Sequence, residues 1–459
     1  MSDPQQIVVL TPHPLQRVGA FALASLAECD HPANMTPADF VAASKLITDV
    51  MADAATKPDG KGDGAFFLKT SFSFFPNSPI NHSTRSKGGK DPAAGVRQWR
   101  TMPDPESWPG VPCALCGRRA VAFYGNTDMA LAASTSHRNT VPDGHAGTAL
   151  CWPCVTSFHA LPYGCKLTGG QSSVVHSYDD QFLSDVVDDQ VAINEQHVTL
   201  GHPVGKSVES ARVTAIKRLR SYGGPLSTGI ELLVFTNFNG KAALEVSKLD
   251  HPTSLWLRST GMAGARGWRE LVQAHRGQKA SGLERLAYNL FGPQQRVIGA
   301  AAGYLERAST DPPMLKRDAG DLASICRSYL TKVLNVNETD QHELDVLAEK
   351  LADQFVRQKK SAGQLKGFRV DFNSKRRRNR LVQEALGWLL DEDTQGSLIS
   401  PRQFTLLEGH ERSWLYRNYL LIALFEQLAV KGFNPTDAAE VASELADEPI
   451  EEDSEGDQQ

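Results

Sequence analysis

Two pairs of cysteines spaced as CxxC, Cys113 with Cys116 and Cys151 with Cys154, carry the clearest chemistry in this chain. Each pair can place two thiolates on one tight turn, so the four can close a tetrahedral structural zinc site. A stretch of 34 residues separates the pairs, and metal binding supplies free energy to close such a loop where a small core could not. The plain alternative is two chance pairs of buried thiols, and with only seven cysteines in the chain two such spacings argue against it. A closed four-thiolate site leaves no position for water, so it points to a scaffold before it points to an enzyme.

A second candidate is the segment from Pro76 to Lys90, PNSPINHSTRSKGGK, too polar to pack as a core element. Asn77, Ser78, Asn81, His82 and Ser83 can hydrogen-bond base edges, and Arg85, Lys87 and Lys90 can hold phosphates. A solvated loop is its plain reading. A third is the stretch from Arg357 to Arg380, which holds ten basic residues against the single acid Asp371 and includes Lys375, Arg376, Arg377, Arg378 and Arg380. A solvated helix face alternates its charges, and this stretch does not, so it predicts contact with a polyanion. Nearby Phe368 and Phe372 could stack on bases, although core packing accounts for them more simply. Weaker backbone-binding candidates are Arg212, Lys217, Arg218 and Arg220 on a helix expected over Val208 to Tyr222.

Enzymatic readings find less support. Asp179, Asp180, Asp185, Asp188 and Asp189 suggest a metal-dependent nuclease, but such pairs are common at helix starts. His137, Asn139 and His145 lie between the cysteine pairs, as in HNH nucleases bracketed by zinc. Such a site needs a general-base His beside a metal-binding group, and Ser136 stands before His137 where an Asp is expected. A zinc-stabilised transcription regulator would need a compact recognition helix and a dimer signal, and neither is visible. The expectation is therefore a non-catalytic chain.

The elements that position these residues follow from pattern. At 459 residues with 41% hydrophobic content, two to four domains are expected. No stretch approaches the roughly 20 apolar residues of a membrane span, and Asp3 with no basic segment before an apolar run does not read as a signal peptide. Reduced, zinc-spaced thiols then suggest the cytoplasm. The net charge of −5 averages very uneven regions and excludes little. A strand is expected over Ile7 to Leu10, helices over Leu15 to Leu26 and Pro37 to Met51, and a strand over Ala65 to Phe75. Further strands over Ile230 to Asn237 and Lys241 to Lys248 would be joined by a Phe238-Asn239-Gly240 turn. From Met314 onward apolar residues recur at helical spacing, for example Leu322, Ile325, Tyr329 and Val333. The resulting class is α+β and multidomain. Its expected parts are 1–112, mixed α+β with the polar loop; 113–154, a zinc-binding insertion; 155–311, the remaining mixed part; 312–446, a helical bundle reached through a Pro312-Pro313 hinge; and 447–459, an acidic tail expected to be disordered.

The order of HPLQRVGAFALASLA from His13, FFPNSP from Phe74, the two CxxC pairs, TNFNGK from Thr236 and a helical C-terminal part resembles the large subunit of a type I-B CRISPR Cascade, the Cas-eight family. The resemblance implies a non-nuclease clamp that recognises the protospacer-adjacent motif in duplex DNA and helps open it, while a guide RNA reads the target. It makes Phe74, Phe75, Pro76, Asn77, Ser78 and Asn81 the motif readers, with Arg85, Lys87 and Lys90 on flanking phosphates. It also implies a C-terminal bundle like the small subunits that hold the displaced strand, with Lys375 to Arg380 as its electrostatic surface. The implied partners are the guide RNA, the target duplex and displaced strand, the Cascade backbone and guide-end subunits, and a recruited helicase-nuclease or transposition factor. A small subunit translated internally from Met314 would have 146 residues.

Overall fold

The computed structural model describes residues 6–58, 66–81, 85, 91–132, 147–168, 170–201, 209–238, 241–262, 266–277, 280–373 and 399–447. It is an α+β protein whose chain divides into two compact units, Met1–Arg218 with Gly224–His251, and Leu219–Gly223 with Pro252–Gln459.

Helix α1 (Pro14–Leu26) runs through the centre of the first unit, with every residue from Leu15 to Ala24 buried. Pro14 opens it, where a missing N–H costs nothing. Its small residues let other backbone come close: a Cβ on Gly19 would lie 1.9 Å from the Ser157 carbonyl oxygen. Helix α2 (Pro37–Thr56) begins at a capping box in which Thr36 accepts from the Asp39 amide at 3.2 Å and the Asp39 carboxylate accepts from the Thr36 amide at 2.8 Å.

Two expected strands are absent as strands. Among the described residues Ile7 to Leu10 pairs with no strand. Instead Arg118 donates to the Ile7 carbonyl at 2.7 Å and to the Gln6 carbonyl, and Gln16 donates to the Val9 carbonyl at 3.0 Å. The aromatic run forms helix α3 (Phe66–Phe74). Its exposed positions, Lys69 and Phe72, are three apart, and its buried Phe67, Ser71 and Phe74 recur at helical spacing.

Helix α4 (Pro92–Trp99) follows. Strands β1 (Ala122–Tyr124) and β2 (Thr148–Leu150) pair antiparallel, and α5 (Trp152–Ala160) packs against α1. A four-stranded antiparallel sheet has the order β3 (Lys166–Leu167), β4 (Ser172–Ser177), β5 (Ile230–Phe238), β6 (Lys241–Leu249). The expected pair is present, in register from Ile230 opposite Leu249 to Phe238 opposite Lys241; the remainder of its turn lies outside the described residues. Strand β4 is buried at every position, and α6 (Asp180–Leu200) packs on it. Helix α7 (Ala211–Ser221) completes the mixed part.

The second unit is helical in its described residues: α8 (His251–Met262), α9 (Trp268–Ala274), α10 (Gly282–Leu290), α11 (Arg296–Ala308), α12 (Pro312–Lys332), α13 (Glu338–Arg357), α14 (Ala362–Asn373), α15 (Pro401–Phe404), α16 (Ser413–Val430) and α17 (Ala438–Asp447). Arg327 of α12 ties three helices together through Tyr419 at 2.8 Å, Asp345 at 3.2 Å and Glu426. The boundary expected at Pro312 falls inside this unit. Pro312 and Pro313 occupy the first turn of α12, where proline is favoured, and Asp311 caps Met314. A product beginning at Met314 would lose that cap and α11, which packs against α16.

Candidate metal centre

The four CxxC cysteines converge, their sulfur atoms all within 4.8 Å of one another. Cys113 and Cys116 lie on a knuckle closed by the Gly117 amide donating to the Cys113 carbonyl at 2.9 Å, with Gly117 at φ 75°. Cys151 is the N-cap of α5 and Cys154 lies in its first turn. The β1–β2 pair joins these halves, since Ala114 donates to Ala149 at 2.8 Å and Val121 to Leu150 at 2.9 Å. Cys113, Cys151 and Cys154 are buried within the main core of the first unit, so the cysteine segment is built into that core.

The donor set fits a tetrahedral metal. Sulfurs about 2.3 Å from a central ion stand about 3.8 Å apart, and Cys116 and Cys151 are 3.4 Å apart. Hydrogen bonds from Cys116, then from Cys151 and Cys154, hold the Cys113 thiol far below its ordinary range. Contacts led by Cys113 push Cys151 and Cys154 upward. Four clustered thiols thus resist complete ionisation by themselves, and a bound metal ion would favour loss of the remaining protons. Cys165 and Cys326 are buried elsewhere and Cys29 is partly exposed.

The FFPNSP turn packs on this region. Phe74 and Phe75 are fully buried, Ser78 is 0% and Asn81 3% exposed, and Asn77 alone of these faces solvent. The Phe75 ring meets Trp99 at 5.6 Å and His159 at 6.0 Å. Phe75, Ser78 and Asn81 are therefore closed to direct contact with a DNA groove: their place is beneath the turn. Asn77 sits at φ 65°, a left-handed position that Asn tolerates. Arg85 is half-buried and reaches the Pro58 carbonyl at 3.4 Å.

Three other expected phosphate-binding residues make surface ion pairs within the chain. Arg212 pairs with Glu245 at 2.6 Å, Lys217 with Glu209 and Arg218 with Asp189. Arg220 bonds Thr260 and lies 3.8 Å over the Trp268 ring, so it is structural. Asp179 caps α6 at Phe182 and accepts from Ser227, Asp180 pairs with Arg17, and Asp188 accepts from Ser184. Phe368 and Phe372 are buried and stacked on each other, as core packing predicts. His82, Ser83, Lys87, Lys90, His137, Asn139, His145, Lys375, Arg376, Arg377, Arg378, Arg380 and the 448–459 tail lie outside the described residues.

Sequence reasoning missed one polar group beside the metal centre. Arg100, which ends α4, is 4% exposed, and all three guanidinium nitrogens lack a hydrogen-bond partner among the described residues. Burial pulls its pKa down to about 9. The Tyr124 hydroxyl and both ring nitrogens of His159 are equally buried and unpartnered there. Trp99 connects the group: its indole donates to Asp128 at 2.7 Å, Arg100 lies 5.7 Å from its ring and His159 packs edge-on at 5.6 Å. An arginine following a tryptophan carries no sequence signal of burial.

Comparison of the chain with protein-family models, with curated proteins and with solved structures returns no match.

Proposed function

We propose that this chain is the non-catalytic large subunit of a type I-B CRISPR RNA-guided DNA surveillance complex, built around a structural zinc and working in the cytoplasm. The observation that carries the reading is the presentation of one turn. Trp99 and His159 pack against the buried Phe75 beneath FFPNSP, while Asn77 is exposed at a left-handed position.

In this reading Asn77 is the motif-reading residue, because a carboxamide both donates to and accepts from a base edge. Phe75, Ser78 and Asn81 stiffen its support and so reduce the entropy lost on binding. Arg85, Lys87 and Lys90 hold flanking phosphates. Four thiolates at this spacing favour zinc over harder cations. Asp179, Asp180 and Asp188 are committed to structural bonds, which supports a recognition role and leaves strand cleavage to a recruited helicase-nuclease, or integration to a transposition factor.

The role of holding displaced single-stranded DNA is assigned to the whole second unit, with Lys375 to Arg380 as its basic surface. A product starting at Met314 fits less well, because it would leave α8 to α11 behind. Purification of the tagged chain from its native source tests the proposal. The expected result is a complex with a guide RNA of uniform length and repeated backbone subunits, and Asn77→Ala should relax motif discrimination by about 1–3 kcal/mol. Recovery of the chain as an RNA-free monomer would refute it.

A further inference from the structure

We infer that Arg100, Tyr124 and His159 form an internal oxyanion site beside the metal centre, built for one phosphate group. The three side chains come from separate elements: the end of α4, strand β1 and helix α5. Arg100 and His159 both meet the Trp99 ring, Tyr124 lies close enough to Arg100 to act on its charge, and none of their buried polar atoms has a hydrogen-bond partner among the described residues. Folding does not explain this arrangement, since a leucine or methionine would fill the space of Arg100 without a desolvated charge. An orphaned buried donor is costly, and a guanidinium has five N–H donors in a planar fork that matches phosphate oxygens.

Charge and hydrogen-bond capacity choose the ligand. Among the described residues Asp128 is the carboxylate that acts on Arg100, and its oxygen already accepts from Trp99. The surroundings therefore hold a surplus of donors: the Arg100 fork, the Tyr124 hydroxyl and an N–H of His159. A cation is excluded by the guanidinium, and a neutral ligand would leave the charge unmet. A tetrahedral phosphate has enough acceptor oxygens to receive donors arriving from three elements. This holds whether the phosphate is free or part of a nucleic-acid backbone, and it stands independently of the DNA-recognition reading.

The test is thermal unfolding and titration calorimetry of the full metal-loaded chain with inorganic phosphate, against sodium chloride at matched ionic strength. Phosphate at about one hundred times its dissociation constant should raise Tm by roughly 5 °C, and chloride should not. Tyr124→Phe removes one donor and keeps the fold, so it should weaken phosphate binding about tenfold. Arg100→Met should abolish the shift. If that variant fails to fold, Arg100→Lys, which keeps the charge but loses the fork, should still bind markedly less tightly. A short single-stranded oligonucleotide that competes with phosphate in the wild type identifies the source as a phosphodiester; absence of competition identifies a free phosphate. Equal Tm in phosphate and chloride overturns the inference, as does unchanged phosphate affinity in Tyr124→Phe and Arg100→Lys together.

Discussion

Replacing Gly19 with alanine tests how tightly the metal centre depends on the helix beneath it. A Cβ there would lie 1.9 Å from the Ser157 carbonyl oxygen and 2.6 Å from its carbon, where contacts under 3.0 Å essentially never occur. Helix α5 must therefore retreat by about 1.1 Å, since a packed interior has no slack to absorb the methyl group. The obstacle is backbone and cannot rotate away. The cost lies at about 3 kcal/mol, against about 1 kcal/mol gained by placing alanine in a helix. The net loss of about 2 kcal/mol should lower Tm of the first unit by about 4–8 °C. Cys151 and Cys154 travel with α5, and metal–ligand distances tolerate only about 0.2 Å. Gly19→Ala should thus also release metal, read as metal per chain by elemental analysis after dialysis against a weak chelator. Gly320→Ala is the control, because nothing lies within 4 Å of its added Cβ; it should keep its metal and gain up to about 1 kcal/mol. Wild-type metal content and Tm in Gly19→Ala would show that α1 and α5 do not approach as closely as described.

Three more outcomes are expected. Strong chelation, or Cys154→Ser, should expose the first unit to limited proteolysis while the second keeps its helical circular dichroism, and protease resistance of the metal-free chain would count against a structural metal. Burial holds the His275 pKa down to about 4, with one ring nitrogen bonded to the Leu271 carbonyl and the other unpartnered. The unfolded chain binds this proton below about pH 6.5, so about 3 kcal/mol of stability, complete above that pH, is lost as pH falls toward 4. His275→Gln should flatten this part of the urea stability–pH curve, and an unchanged slope would mean the imidazole is not buried neutral. Because Asn77 sits at φ 65°, Asn77→Gly should hold stability within a few tenths of a kcal/mol whereas Asn77→Val costs about 1 kcal/mol or more, measured by thermal unfolding; equal stability of the two would refute the left-handed turn.

What was legible in the sequence has a local cause. Pro14, the Thr36–Asp39 pair and Pro37 mark helix starts through bonds made within four residues. The two CxxC pairs announce their sites because each turn holds both of its thiols. The β5–β6 pair is visible because its strands are neighbours in sequence. Misreadings arose where distant contacts decide. Nothing within Ile7 to Leu10 says that Arg118 will satisfy the Ile7 carbonyl and Gln16 the Val9 carbonyl. Phe66 to Phe74 is apolar on most sides, so strand and helix patterns overlap until the exposed pair Lys69 and Phe72 fixes the period. FFPNSP looks like an exposed probe because polarity suggests solvent, yet Ser78 and Asn81 are turned inward by a turn on a buried aromatic pair. Arg100 would pass for any surface arginine, since the groups around it, Asp128 and Tyr124 among them, come from later in the chain.

The meeting of α1 with α5 has a consequence for synthesis. Gln16 bonds Ser157 across 141 residues, so α1 leaves the ribosome well before the partner that covers it is made. At ordinary elongation rates the delay is on the order of ten seconds, far longer than hydrophobic collapse needs. During that interval a helix buried nearly all round in the finished protein has only nascent chain or a chaperone to cover it. Slower translation between Ala27 and Trp152 should therefore lower the yield of folded chain, and an early-acting holdase should restore it.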